Sequence, residues 1–118
     1  MAMKTRIMYI ERKGDSISGP ARIVRVSFSK SGKTIHYKGR EFRSLGGSGF
    51  KANYFDSATG EHYWISGCKV RGGDRLYPGT IEIDEDVREE YWLYIRRLPG
   101  KKEQKRIRCA GKHAGSAK

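Results

Sequence analysis

Several short clusters in the sequence have residue types that can do chemistry. Ser31-Gly32-Lys33-Thr34 ends like a phosphate-binding loop, in which backbone N–H groups and a lysine hold phosphate oxygens. The full pattern needs a glycine where Ser27 stands and a helix after the lysine. The residues that follow alternate as a strand, so a hairpin turn is the better reading. Leu45-Gly46-Gly47-Ser48-Gly49-Phe50-Lys51 can form a nest of N–H groups for a phosphate or a nucleotide. It lacks the strand-then-helix context of dinucleotide binding, and a flexible loop ranks ahead. His36, His62, His113, Cys68 and Cys109 show no close ligand spacing, which speaks against a metal centre. His62 lies near Glu61 and Asp56, but no nucleophile, base and orienting group can be lined up from the sequence. The acids around Asp84 are accounted for by helix capping. No catalytic residue, metal or cofactor is therefore expected.

Bases interleaved with aromatic rings on predicted strands form a further pattern. Strict alternation puts Lys51, Asn53 and Phe55 on one face, and His62, Trp64 and Ser66 on another. His36 and Lys38 share a face, and Arg25 with Ser27 lies opposite Val24 and Val26. Where these faces coincide, the sheet presents Arg25, His36, Lys38, Lys51, Asn53 and Trp64 together. Such a surface holds phosphates on its cations and stacks bases on Trp64 or Phe55, as single-strand binders do. The plainer reading makes Trp64 and Phe55 core and the lysines their solvated rim. No zinc finger, recognition helix or RNA-recognition aromatic motif is present.

The charge balance fits this pattern. Lys plus Arg number 25 against 13 Asp plus Glu, a formal net charge of +12 over 118 residues. Residues 99–118 carry Lys101, Lys102, Lys105, Arg106, Arg108, Lys112 and Lys118 against Glu103 alone. Residues 76–98 reverse the sign, with acids concentrated between Glu82 and Glu90. A basic domain with a basic tail is the electrostatic footprint of a polyanion binder, because neutralised phosphates release counterions. The same charge also keeps a protein soluble without any partner. The length suits one domain. No window is apolar enough for a membrane span, and residues 1–9 have no apolar core of a secretory signal. Two distant cysteines, Cys68 and Cys109, point to free thiols and a cytoplasmic setting.

The elements that must position these groups are mostly strands. Residues 5–12 are rich in β-formers and end at a Lys13-Gly14-Asp15 turn signal. Residues 21–29 and 34–38 alternate about Ser29-Lys30-Ser31-Gly32-Lys33, giving a hairpin over about 22–38. Short strands follow at 40–45, 50–55, 61–66 and 80–83, the middle pair joined by Asp56-Ser57-Ala58-Thr59-Gly60. The period then changes. Val87, Tyr91, Tyr94, Ile95 and Leu98 recur at helical spacing, with Trp92 widening the stripe. Asp86 and Glu89 resemble a capping box, and Pro99-Gly100 stops a helix over about 85–97. Beyond Gly100 only Ile107 is bulky and apolar, so residues 99–118 read as a flexible basic tail.

Five segments carry a resemblance: Ser18-Gly-Pro-Ala-Arg-Ile23, Phe28-Ser-Lys-Ser-Gly-Lys33, Gly49-Phe-Lys-Ala-Asn-Tyr54, Thr59-Gly-Glu-His-Tyr-Trp-Ile-Ser-Gly67 and Ile83-Asp-Glu-Asp-Val-Arg-Glu-Glu-Tyr-Trp92. Over residues 3–98 the chain resembles a family of small, uncharacterised bacterial proteins that often carry the inherited name deoxyxylulose-phosphate synthase. That name belongs to a much larger thiamine-diphosphate enzyme. This chain has neither the length nor a glycine–aspartate metal motif for that cofactor. The resemblance implies a bacterial cytosolic protein, and it transfers no functional residue.

The expected fold is α+β: a curved antiparallel sheet of about five strands, closing toward a small SH3-like or OB-like barrel, with one C-terminal helix. Residues 1–98 form the domain and 99–118 the tail. The expected function is a non-enzymatic nucleic-acid-binding module. It uses Arg25, His36, Lys38, Lys51, Asn53 and Trp64 on the sheet and Lys101, Lys102, Lys105, Arg106 and Arg108 on the tail. The alternative is a protein-interaction module, an inhibitor, immunity or regulatory factor, docking through exposed aromatics or the acidic 82–90 segment. A small enzyme or a nucleotide binder using the 46–51 loop ranks below both.

Overall fold

The computed structural model describes residues 4–13, 19–46, 52–70, 73–75 and 79–109. Eight strands pair in the order β1-β6-β5-β4-β3-β2-β7-β8, and β1 also pairs with β2. The extra pairing closes β1 through β6 into a small antiparallel barrel and leaves β7 and β8 as a two-stranded wing. The strands are β1 Lys4–Arg12, β2 Ala21–Phe28, β3 Thr34–Tyr37, β4 Arg40–Ser44, β5 Tyr54–Asp56, β6 His62–Gly67, β7 Gly79–Ile83 and β8 Arg106–Cys109.

The structure has the expected small barrel but eight strands rather than about five: each of the seven strand-like segments contributes a strand, and the segment read as a tail supplies β8. Residues 99–109 are not a free tail: a 3-10 turn at Pro99–Lys101 leads to β8, which pairs antiparallel with β7. Ile107 faces Ile81 across that pair, and the Trp92 indole N–H donates to the Gln104 carbonyl at 2.9 Å. Ile107 and Cys109 are enough apolar surface here, because the rest of β8 is held by backbone hydrogen bonds to a strand that already exists. Residues 110–118 lie outside the described residues.

The outer edge of β2 is divided. Ser27 and Phe28 pair with β3, whereas Ala21–Ile23 pair in parallel with Ile81–Ile83 of β7. This sharing explains why β1 and β2 are buried on both faces rather than on one. Met8, Ile10, Val24, Val26, Ile35, Phe42, Tyr63 and Ile65 fill the barrel. Ile7, Tyr9, Ala21 and Ile23 point outward instead, into a second core with Ile81, Ile83, Val87, Tyr91, Trp92 and Cys109.

The helical segment covers that second core. It passes from a 3-10 turn (Glu85–Val87) through an α turn (Arg88–Glu90) to a π turn (Tyr91–Ile95), α1 in all. The stripe is core only in its first half: Val87, Tyr91 and Trp92 are buried, the last two with rings edge to face 5.1 Å apart. Tyr94 and Leu98, expected in the same stripe, are exposed because the π turn and the left-handed Arg97 rotate them off the core. The start differs from the predicted capping box. Asp84 occupies the N-cap position without a side-chain cap bond, because its carboxylate is taken by the barrel. The helix ends at Ile95 with Arg96 as its C-cap; Arg97 follows with a left-handed φ of 59°, and the Leu98 N–H returns to the Trp92 carbonyl at 2.8 Å. Both cysteines are free thiols.

Candidate nucleic-acid interface

Inward-facing stripes begin at one end of the barrel with a polar residue. On β1 the stripe reads Met8, Ile10, Arg12; on β2, Arg22, Val24, Val26; on β3, Ile35, Tyr37; on β4, Arg40, Phe42. The antiparallel registers set Arg12, Arg22, Tyr37 and Arg40 around the same opening. Lys38 joins them from a two-residue turn. Lys38 and Gly39 both have positive φ (45° and 79°), the geometry of a tight hairpin loop whose second position suits glycine. The opening leads into a cavity of about 380 Å³ whose walls include Ile10, Phe42 and Tyr63.

Each cation at the opening has a carboxylate beside it. Asp84, only 3% exposed, accepts from Tyr37 Oη at 2.6 Å and from Arg22 Nε at 2.7 Å, with Lys38 Nζ at 3.6 Å. Burial pushes this carboxyl up, but the bonds from Tyr37 and Arg22 outweigh it and hold Asp84 below its ordinary value. Burial and the Asp84 contact push the Tyr37 phenol well up, so it stays a donor. Arg12 pairs with Glu61, its Nε at 2.7 Å. Arg40 donates to Tyr63 Oη at 2.9 Å and lies 3.7 Å from Asp56. Arg12, Arg22, Lys38 and Arg40 are all exposed at the opening.

The registers carry this charge onto the wing. Arg22 is level with Glu82 on β7, and Glu82 with Arg106 on β8. In-register neighbours point to the same side of a sheet. Glu82 and Thr80 of β7, with Arg106 and Arg108 of β8, therefore extend the face that Arg22 begins. Ile81, Ile83, Ile107 and Cys109 point the other way, into the second core. Arg106 Nε lies 3.2 Å from Glu82, and Arg108 is exposed with Thr80 opposite.

The predicted sheet surface does not assemble as one face. Arg25 lies on the helix side of β2 and is tied to Glu90 at 2.7 Å. His36 is half-buried on the outside of β3, level with Ser27 and Glu41. Lys38 sits in the turn at the barrel mouth instead of continuing the His36 face. Asn53 precedes β5 and binds backbone: its Nδ2 donates to the Ile65 carbonyl and its Oδ1 accepts from the Ile65 N–H, both at 2.8 Å. These bonds clamp it to β6. Trp64, 37% exposed, lies on the outer face of β6, its indole N–H donating to Ser66 Oγ at 3.2 Å. Lys51 lies outside the described residues. Lys101, Lys102 and Lys105 are exposed on the turn leading to β8, with Lys101 Nζ 5.8 Å from the Trp92 ring centre.

Arg12, Arg22, Tyr37, Arg40 and Asp84 escaped the sequence reading. Their signal was present: each inward-facing apolar stripe is terminated by a polar side chain, and Lys38-Gly39 is a two-residue loop. The common end of those stripes becomes visible only once the barrel is closed. No family model, curated protein or solved structure matches the chain. Among the described residues no group of three or more metal-binding side chains occurs, and no helix is long and apolar enough to cross a membrane.

Proposed function

We propose that this chain is a non-enzymatic nucleic-acid-binding module, and that its binding surface is the barrel mouth together with the solvent face of the β7–β8 wing. One observation carries the reading: Arg22, Arg106 and Arg108 share a face that runs on from Arg12, Lys38 and Arg40 at the mouth. The arginine guanidinium groups suit phosphate oxygens, which they bind two at a time, and the Lys38 ammonium adds a point charge beside them. The wing is held by strand pairing, so these charges are presented in a fixed row and cost less to order on binding than a flexible tail would. A charged edge strand also discourages pairing with other sheets, which gives β8 arginines a purely structural use. That use does not account for the four cations at the mouth.

A second reading has its own observation. Tyr94 is 73% exposed and Leu98 44%, close to the end of α1, while Glu85, Asp86 and Glu89 are exposed at its start. These would serve a protein partner. Fluorescence anisotropy with labelled single-stranded and duplex DNA and RNA separates the two at low and physiological salt. The expected result is micromolar binding that weakens steeply with salt. It should weaken further in Arg12→Ala/Lys38→Ala and in Arg106→Ala/Arg108→Ala, and stay unchanged in Tyr94→Ala. Binding that is absent at low salt, or indifferent to all four arginine and lysine substitutions, sinks the nucleic-acid reading and favours the protein partner.

A further inference from the structure

We propose that the barrel mouth is a subsite for a single nucleotide unit, with the base ring inserted into the cavity and its phosphate held outside by Lys38, Arg12 and Arg22. This deepens the nucleic-acid reading and rests on it. The size fits: about 380 Å³ lies within the range of small-ligand sites, roughly 300–1,000 Å³. The floor is apolar: Ile10, Phe42 and Tyr63 line it from the barrel core, Phe42 and Tyr63 edge to face with centres 4.7 Å apart, and the half-buried Tyr37 ring stands beside the opening.

Polar groups stand at two depths. Deeper, the buried Tyr63 hydroxyl accepts from the Arg40 guanidinium, itself 55% exposed at the opening, at 2.9 Å, and this pair can meet the edge of a base. At the rim, the Lys38 side chain is 69% exposed, with its Nζ 3.6 Å from Asp84 and 5.4 Å from the Tyr37 ring centre. Arg12, 54% exposed, stands at the same opening with Glu61. Glu61 is an acceptor beside the rim, suited to the amino or imino hydrogens of a base rather than to phosphate. An uncharged aromatic ligand would find no use for the rim cations. A simple anion would find none for the rings. A nucleotide uses both.

The test is an NMR titration of the ¹⁵N-labelled full chain with three probes: uridine monophosphate, uridine and inorganic phosphate. The expected result is saturable shifts at Arg12, Arg22, Lys38, Arg40 and Tyr63 with the monophosphate, at an affinity about tenfold or more above either of the other probes. Arg12→Ala/Lys38→Ala should lower the monophosphate affinity about tenfold and leave that for uridine unchanged, with the spectrum itself reporting that the variant is folded. Equal affinity for inorganic phosphate, shifts centred on Arg106 and Arg108, or no shift at millimolar probe would overturn the subsite. Oligonucleotide binding without mouth shifts discards the subsite and leaves the wider reading intact. Mouth shifts with the mononucleotide, but no oligonucleotide binding, discard the wider reading instead.

Discussion

Replacing Asp84 by asparagine removes the charge on which the barrel mouth and the start of α1 converge. Asp84 is 3% exposed and accepts from Tyr37 and Arg22 at 2.6 and 2.7 Å. A hydrogen bond to a charged group contributes about 1.5–3 kcal/mol. Asparagine keeps one carbonyl acceptor, so one of the two bonds is lost and the other weakened. The Arg22 side chain, 46% exposed, recovers water when the carboxylate goes, which cancels much of its share. The net cost is about 2 kcal/mol, most of it from the half-buried Tyr37 hydroxyl, and in a chain of 118 residues that lowers Tm by about 8 °C. Because the folded Asp84 titrates below its ordinary value, its stabilisation is complete above that value. It is lost as the pH falls through the lowered one. The gap between the native chain and Asp84→Asn, followed by thermal melts read by circular dichroism, should therefore be constant above about pH 5 and narrow below about pH 4. A double-mutant cycle with Tyr37→Phe should show coupling of about 1 kcal/mol. A gap as wide at pH 3 as at pH 7, together with additive effects, would refute the account of this hub.

Three further outcomes are expected. Arg97→Gly should raise stability by about 0.5–1 kcal/mol in urea unfolding, because φ of 59° is strained for arginine and free for glycine. In Cys109→Ala, Cys68 should react with a thiol reagent at pH 8 about a thousandfold more slowly than in urea, since burial pushes its thiol up to about 12; equal rates would show that the thiol is open. Truncation after residue 98 should unfold or strongly destabilise the chain in a thermal melt, by stripping β8 and Gln104 from Ile81 and Trp92.

The strands were largely legible because alternation, glycine turns and β-branched runs are local signals. The β2–β3–β4 meander and the first half of the α1 stripe follow from them. A sheet closing toward a small barrel was legible, but the seam was not: β1 and β2 look like half-buried strands until the barrel and the second core claim a face each. β8 was missed for a related reason. Arg106-Ile-Arg-Cys109 has a strand's alternation, but its high charge matched a tail, and only the waiting edge of β7 orders it. At the site, Lys38 and the wing arginines were named from charge, while Arg12, Arg22 and Arg40 depended on which ends of four strands meet.

The divided edge of β2 also governs how the chain comes together. Ala21–Ile23 pair with Ile81–Ile83, far along the chain and beyond the barrel strands that lie between them. Such distant pairings slow folding relative to a local meander. The same strand then supplies Val24 and Val26 to one core and Ile23 to the other. Neither core can open without exposing β2, so the amides of β1 and β2 should exchange with solvent only when the whole molecule unfolds. Those of β8, on the rim, should exchange through local fraying.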